Sequence, residues 1–276
     1  MNLRDARDEE AREVLRRGGR IRAILPIGSL EQHGKHLPLG TDSIIAERIA
    51  AIVAERTNAL LLPCIYYGIS YEHEPLFNVS ISAQTLCMLV GDICRSLVNL
   101  GVKNIIILNA HYGNEYALLS CTKELAETYR DSGVLIYSIT YSLFIDRMDH
   151  AGENETSLML AIRPDLVRMD LIEEGLEEGK RNEGDIDFIS KLDPISLSRI
   201  TLLPGSISSI ARYGVIGDPR MASKESGHEM LDDVCTNIIK TIEEVEHMYE
   251  KISGMKMGNS NRDQDDLYMQ STEDER

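Results

Sequence analysis

The chain has 276 residues and 43% apolar content, enough for one large α/β domain or two smaller ones. Its 29 Lys and Arg face 45 Asp and Glu, and the resulting charge of −16 repels phosphate backbones, which argues against a nucleic-acid partner. No apolar run approaches the roughly 20 residues that cross a bilayer, and the charged start lacks the apolar core of a signal peptide.

Taken in order, residues 3–17 read as an amphipathic helix ending at Gly18-Gly19. Ile21–Ile27 is a short apolar strand, followed by the polar loop of ILPIGSLEQHGKHLPLGTD (24–42). That loop holds Glu31, His33, His36 and Asp42. A helical pattern begins at Ser43, with Ile44, Ile45, Ile49, Ile52 and Val53 recurring at helical spacing. Leu60–Ile65 is a second strand, opening into a loop that contains Glu72-His73. A helix covers about Ala83–Leu100, and Asn104–Leu108 is a third strand leading into NAHYGNE (109–115) and a helix over Tyr116–Tyr129.

Val134–Thr140 is a fourth strand, followed by HAGENE (150–155) and a short helix containing Leu158 and Leu160. The acidic stretch 171–198 reads as a surface excursion. A long helix is expected over 222–252, with Leu231, Val234, Ile238, Ile242, Val245 and Met248 as its buried stripe, and the polar residues from 254 to 276 as a disordered tail. Strands alternating with helices indicate βαβ units and a mainly parallel sheet in one α/β domain, residues 1–253. Cys64, Cys87, Cys94, Cys121 and Cys235 are odd in number and form no C-x-x-C pair. They read as small hydrophobes in a reducing cytosol, so a cytoplasmic protein is expected.

Ligands of open parallel sheets bind outside the carboxyl ends of the strands. Three polar clusters fall at such ends: Glu31-x-His33 with Asp42, His111-Tyr112-Gly113-Asn114, and His150 through Glu155. Glu31 and His33, two apart on extended backbone, point to one side. Mixed imidazole and carboxylate donors without a thiolate suit a divalent metal. His150, whose class titrates near neutrality, is the candidate proton carrier. GVIGDP (214–219) reads as a tight structural turn.

On the segments GSLEQHGKHLPLGTD, NAHYGNE, HAGENETSLML and GVIGDPRMAS, the chain resembles the creatininase family of metal-dependent amidohydrolases. The resemblance implies a Rossmann-like layered α/β fold, with hexameric assembly common in the family. It also implies that Glu31, Asp42 and His111 hold one divalent ion, that His33 and Asp42 hold a second with Asp42 bridging, and that His150 is the acid/base histidine. Creatininase has a glutamate in its H-Y-E-N turn that binds the second metal. Here that position is Gly113, and Glu155 is the replacement expected. The tryptophan that holds creatinine in creatininase has no counterpart, since the chain has no Trp, and Asp146-Arg147 stand in the place of its Trp-Asp pair.

The expectation is a hydrolase with zinc, iron or manganese, two ions per chain, cleaving a non-peptide C–N bond of a small-molecule amide other than creatinine. Other family members suggest two further substrates, a formamidopyrimidine nucleotide that is deformylated in riboflavin and deazaflavin synthesis, and a redox-peptide precursor. A catalytically silent ligand-binding relative is the reading from another class.

Overall fold

The apolar runs form strands because residues covered on both faces by helices satisfy their backbone only by pairing with one another. The strands are β1 (Arg22–Ile27), β2 (Leu60–Leu61), β3 (Asn104–Asn109) and β4 (Leu135–Thr140). They lie in the order β2-β1-β3-β4, with every neighbouring pair parallel. Before, between and after them run α1 (Asp8–Arg16), α2 (Thr41–Thr57), α3 (Ala83–Asn99), α4 (Glu115–Thr128), α5 (Glu153–Ile162), α6 (Ile172–Glu178), α7 (Ser206–Ile210) and α8 (Lys224–Glu273). The structure, a computed structural model, describes residues 1–146, 149–178, 203–211 and 213–273, and side chains within these except at 177–178, 210 and 253–273. Arg147 and residues 179–198 of the acidic stretch lie outside the described residues.

Alternation along the strands sorts the core into two layers. Ile24, Ile106, Leu108 and Ile139 face α2, α5 and α8, meeting Ile45, Ile49, Leu158, Val234 and Ile238. Leu25, Ile27, Ile105 and Ile107 face the other way, onto Leu86, Val90 and Leu97 of α3 and Leu118 of α4. α8 is pinned across the far end of the sheet: Arg22 Nε and Nη2 each donate to Glu246 at 2.6 Å, and Asn104 Nδ2 donates to the same carboxylate.

Several boundaries differ from the sequence reading, each for a local reason. The first helix starts at Asp8 instead of residue 3, because Asn2 bridges Leu61 and the first residues extend the sheet edge. β2 ends at Leu61, short of Ile65, since Pro63 has no N–H for the ladder, and pairing resumes only as a single Ile27–Ile65 bridge. α2 begins at Thr41, so Asp42 belongs to a helix and not to the preceding loop. The backbone of α8 remains helical to Glu273, past residue 252 and through the segment read as a disordered tail; no proline follows Pro219 to stop it. Among the described residues, no helix is long and apolar enough to cross a membrane.

Candidate metal centre

β1, β3 and β4 end level, with Ile27 beside Asn109 and Asn109 beside Thr140, so the loops leaving them open on one rim. The chain after β1 turns tightly over that rim. A Cβ at Gly28 would lie 2.4 Å from the Ser43 backbone nitrogen, so only glycine lets the strand end against α2. Glu31 then forms an antiparallel bridge with Asn78, and Gln32 N–H donates to Phe77 O at 2.8 Å. This pairing keeps the loop extended, and the Glu31 and His33 side chains reach the same buried site.

Asp42 and Glu155 stand in the first turns of α2 and α5, where the partial positive charge of a helix start favours carboxylates. Ala151 N–H also donates to Glu155 Oε2 at 2.6 Å. His111 leaves β3 in a turn held by Asn109, whose Nδ2 donates to His111 O at 2.7 Å. Its ring nitrogens divide their work. Nε2 donates to Ile69 O at 2.7 Å, a carbonyl that can only accept, which leaves Nδ1 facing Glu31 Oε1 at 3.3 Å and Asp42 Oδ2 at 3.2 Å.

Two donor groupings result. Ligand atoms of Glu31, Asp42 and His111 lie within 4.8 Å of one another, and so do those of His33, Asp42 and Glu155. Asp42 is common to both. His33 Nε2 and Asp42 Oδ2 are buried without a hydrogen-bond partner. Buried polar atoms are rarely left so. Two of them, side by side among imidazoles and carboxylates, have the chemistry of divalent-cation ligands.

Electrostatics point the same way. Burial opposes charge on Asp42, yet the adjacent His33 and His111 hold its carboxyl well below the usual range. Burial also works against a charged His33, but Asp42, Glu155 and Glu31 push it up to about 10. Glu155 is pushed up to about 8 by burial, with Asp42 and Asp149 adding to the effect and His33 opposing it. Without a cation, the cluster retains protons to balance its carboxylates.

His150 sits beside this set. Its ring centroid is 4.3 Å from that of His33 and 4.7 Å from that of His73, and Nδ1 is 3.9 Å from Glu155 Oε2. Burial, followed by the neighbouring His33 and His73, lowers its pKa well below the ordinary value, so the ring is neutral at pH 7. Ligand atoms of Glu31, His33 and His150 also lie within 4.8 Å of one another. His36 lies apart. It is buried against the Thr156 hydroxyl at 3.0 Å and braces the loop from behind.

Three site residues escape the sequence reading. His73 places Nε2 2.9 Å from Glu31 Oε1, Glu72 places Oε1 3.3 Å from His111 Nε2, and Gln32 contacts His73. The Glu72-His73 pair is visible in the sequence by residue type, in the loop after β2, but not as part of the donor set. Gln32 gave no signal, being a neutral side chain between two candidate ligands. The pocket above is lined by Ile145, Ile207 and Ile216 and by Tyr112 and Tyr141.

Residues 5–242 match the family model described as Creatininase: Creatinine amidohydrolase. The mycofactocin precursor peptide peptidase of Mycobacterium ulcerans (strain Agy99) is 33% identical over 231 residues, covering 79% of this chain and 84% of the relative. The creatinine amidohydrolase of Pseudomonas putida is 26% identical over 238 residues, covering 77% and 84%. Among solved structures, a manganese creatininase superposes with a TM-score of 0.71 at 24% identity, over 88% of this chain and 97% of that one. A creatininase mutant of Zn-Zn type gives a TM-score of 0.70 at 24% identity over the same shares. The likeness to the solved structures shows the layered α/β fold.

Proposed function

The chain belongs to the creatininase family, and from that premise we propose that it is a divalent-metal-dependent amidohydrolase acting on the C–N bond of a small molecule other than creatinine. The observation that carries this reading is the convergence of buried ligand atoms from Glu31, His33, Asp42, His111 and Glu155 into two groupings that share Asp42. Glu31, Asp42 and His111 would hold one ion, and His33, Asp42 and Glu155 a second, with zinc, manganese or iron suited to the donors. When bound, such ions supply the Lewis acidity that activates water and polarises an amide carbonyl.

The rest of the chemistry belongs to the side chains. His150 starts neutral, so it can take the proton released by the attacking water and pass it to the leaving nitrogen. Tyr112 and Tyr141 line the cleft together with Ile145, Ile207 and Ile216, a lining that suits an amide with an apolar or flat substituent. The absence of tryptophan removes the large flat surface expected for creatinine. The catalytic domain is residues 1–253, and the assembly is a homo-oligomer, a hexamer by analogy with the family.

A second reading, cleavage of a peptide bond, is favoured by one observation: identity to the peptide peptidase, at 33%, exceeds that to the creatinine hydrolase, at 26%. A hydrolysis screen over cyclic amides, formamides and short peptides, each with zinc, manganese and iron, separates the readings. Turnover of a cyclic amide or formamide supports the first, and turnover confined to peptides supports the second. A protein that binds no metal and hydrolyses nothing would be a silent ligand-binding relative.

A further inference from the structure

Gln32 lies between Glu31 and His33 in the chain and is buried. One end of its side-chain amide is fixed by the backbone. Gly34 N–H, a donor only, points at Gln32 Oε1 from 3.1 Å. The NH2 group therefore faces the opposite way, 2.8 Å from His73 Nδ1 and 3.4 Å from His150 Nε2. His150 Nε2 is also 3.1 Å from the Gln32 backbone oxygen. One residue thus touches both histidines that line the pocket without belonging to the two donor groupings around Asp42.

The direction of the first contact has a consequence for His73. If Nδ1 accepts from Gln32, the ring proton of the neutral form must sit on Nε2, which faces Glu31 Oε1 at 2.9 Å. An imidazole N–H presented to a ligating carboxylate fixes that carboxylate's direction. His150 Nε2–H, donated to the Gln32 backbone oxygen, holds the second ring tilted by 50° with its centroid 4.7 Å from the first.

A separate part of the chain makes room for this arrangement. A Cβ at Gly214 would fall 1.7 Å from Gln32 Nε2, and Gly214 has φ +70°, a conformation that glycine adopts freely. Two residues on, Ile216 exchanges backbone hydrogen bonds with His150 in both directions, at 3.0 and 2.8 Å. The GVIGDP segment, which reads from sequence as a plain turn, is therefore the floor under Gln32 and the brace of the His150 loop.

We propose that Gln32, seated on Gly214, is a positioning residue that sets the tautomer of His73 and the placement of His150. The proposal rests on the amidohydrolase reading for its catalytic meaning, while its test does not. The test uses zinc-loaded protein with 15N-labelled histidine, the His73 signals being assigned by their loss in His73→Gln. In the unsubstituted protein, His73 should carry its proton on Nε2, with Nδ1 unprotonated and shifted by a hydrogen bond. Gln32→Ala should abolish that shift while zinc content is unchanged. Gly214→Ala should abolish it too, by displacing the amide, and the double variant should match Gln32→Ala alone. A proton on Nδ1 in the unsubstituted protein overturns the proposal, as does an unaltered His73 spectrum in Gly214→Ala. Absence of amide hydrolysis would remove the catalytic meaning and leave the ring-nitrogen result intact.

Discussion

Glu155 Oε2, from the first turn of α5, stands 3.6 Å from His33 Nε2 in the loop after β1. The relationship matters because the turn after β3 has Gly113 where creatininase carries a metal-binding glutamate. A Cβ at Gly113 would meet Ile69 O at 2.1 Å and Glu72 Oε1 at 2.5 Å, so that turn has closed and a carboxylate reaches the cluster from another helix. Glu155→Gln should weaken the ion at His33 and Asp42 by at least tenfold and spare the ion at Glu31 and His111. Elemental analysis after dialysis against a graded chelator series checks this; equal retention of both ions would leave Glu155 as a helix-start carboxylate only.

Asp42 offers Oδ1 to His33 and Oδ2 to His111, at 3.3 and 3.2 Å. A residue that serves both groupings should tolerate neutralisation poorly. Asp42→Asn is expected to lose at least one ion per chain while keeping its far-ultraviolet circular dichroism. Full occupancy in that variant would remove the bridging assignment.

For His150, chemistry and binding predict different outcomes. His150→Ala should retain its metal and its melting behaviour, with turnover falling on the order of 10²–10⁴-fold. Loss of metal together with activity would make His150 a ligand, in keeping with its grouping with Glu31 and His33. The proton carrier would then be sought at His73.

The closed turn after β3 predicts a stability effect. Gly113→Ala forces a methyl group against the Ile69 carbonyl and should cost about 1–3 kcal/mol, read as a lower denaturant midpoint. A midpoint unchanged from the parent would show that residues 68–73 can move away without loss.

The pH dependence of metal binding follows from the metal-free cluster. His33 is pushed up to about 10, with Asp42 the leading cause against the opposing effect of burial, and burial pushes Glu155 up to about 8. Both groups hold protons at pH 7 and must release them to coordinate. Metal affinity should therefore rise with pH through neutrality and on through pH 8, and binding should release protons. Calorimetry in two buffers of different ionisation heat detects that release; heats independent of the buffer would contradict it.

Much of this was legible in the sequence, for particular reasons. The strand interiors are continuous apolar runs because both faces of the sheet are covered, and that pattern alone gave β1, β3 and β4 nearly to the residue. Glu31, His33, Asp42, His111 and Glu155 were nameable from motif resemblance, and the structure brings them together. Asp42 was misplaced in the loop because no proline or side-chain cap marks the start of α2; its N-cap is Gly40. The Gln32–His73 contact spans 41 positions and depends on how the loop after β2 folds over the β3 turn. No spacing rule within one segment encodes such a contact, and a buried amide looks in sequence like any surface glutamine.

The most direct test of a two-ion amidohydrolase is a titration of chelator-stripped protein with zinc or manganese, following bound ions per chain and hydrolysis of the best amide from the screen. Activity should be absent from the stripped protein and should rise to a plateau as occupancy reaches two ions per chain. Full activity in the stripped protein, or a plateau at which no ion is bound, would contradict the account.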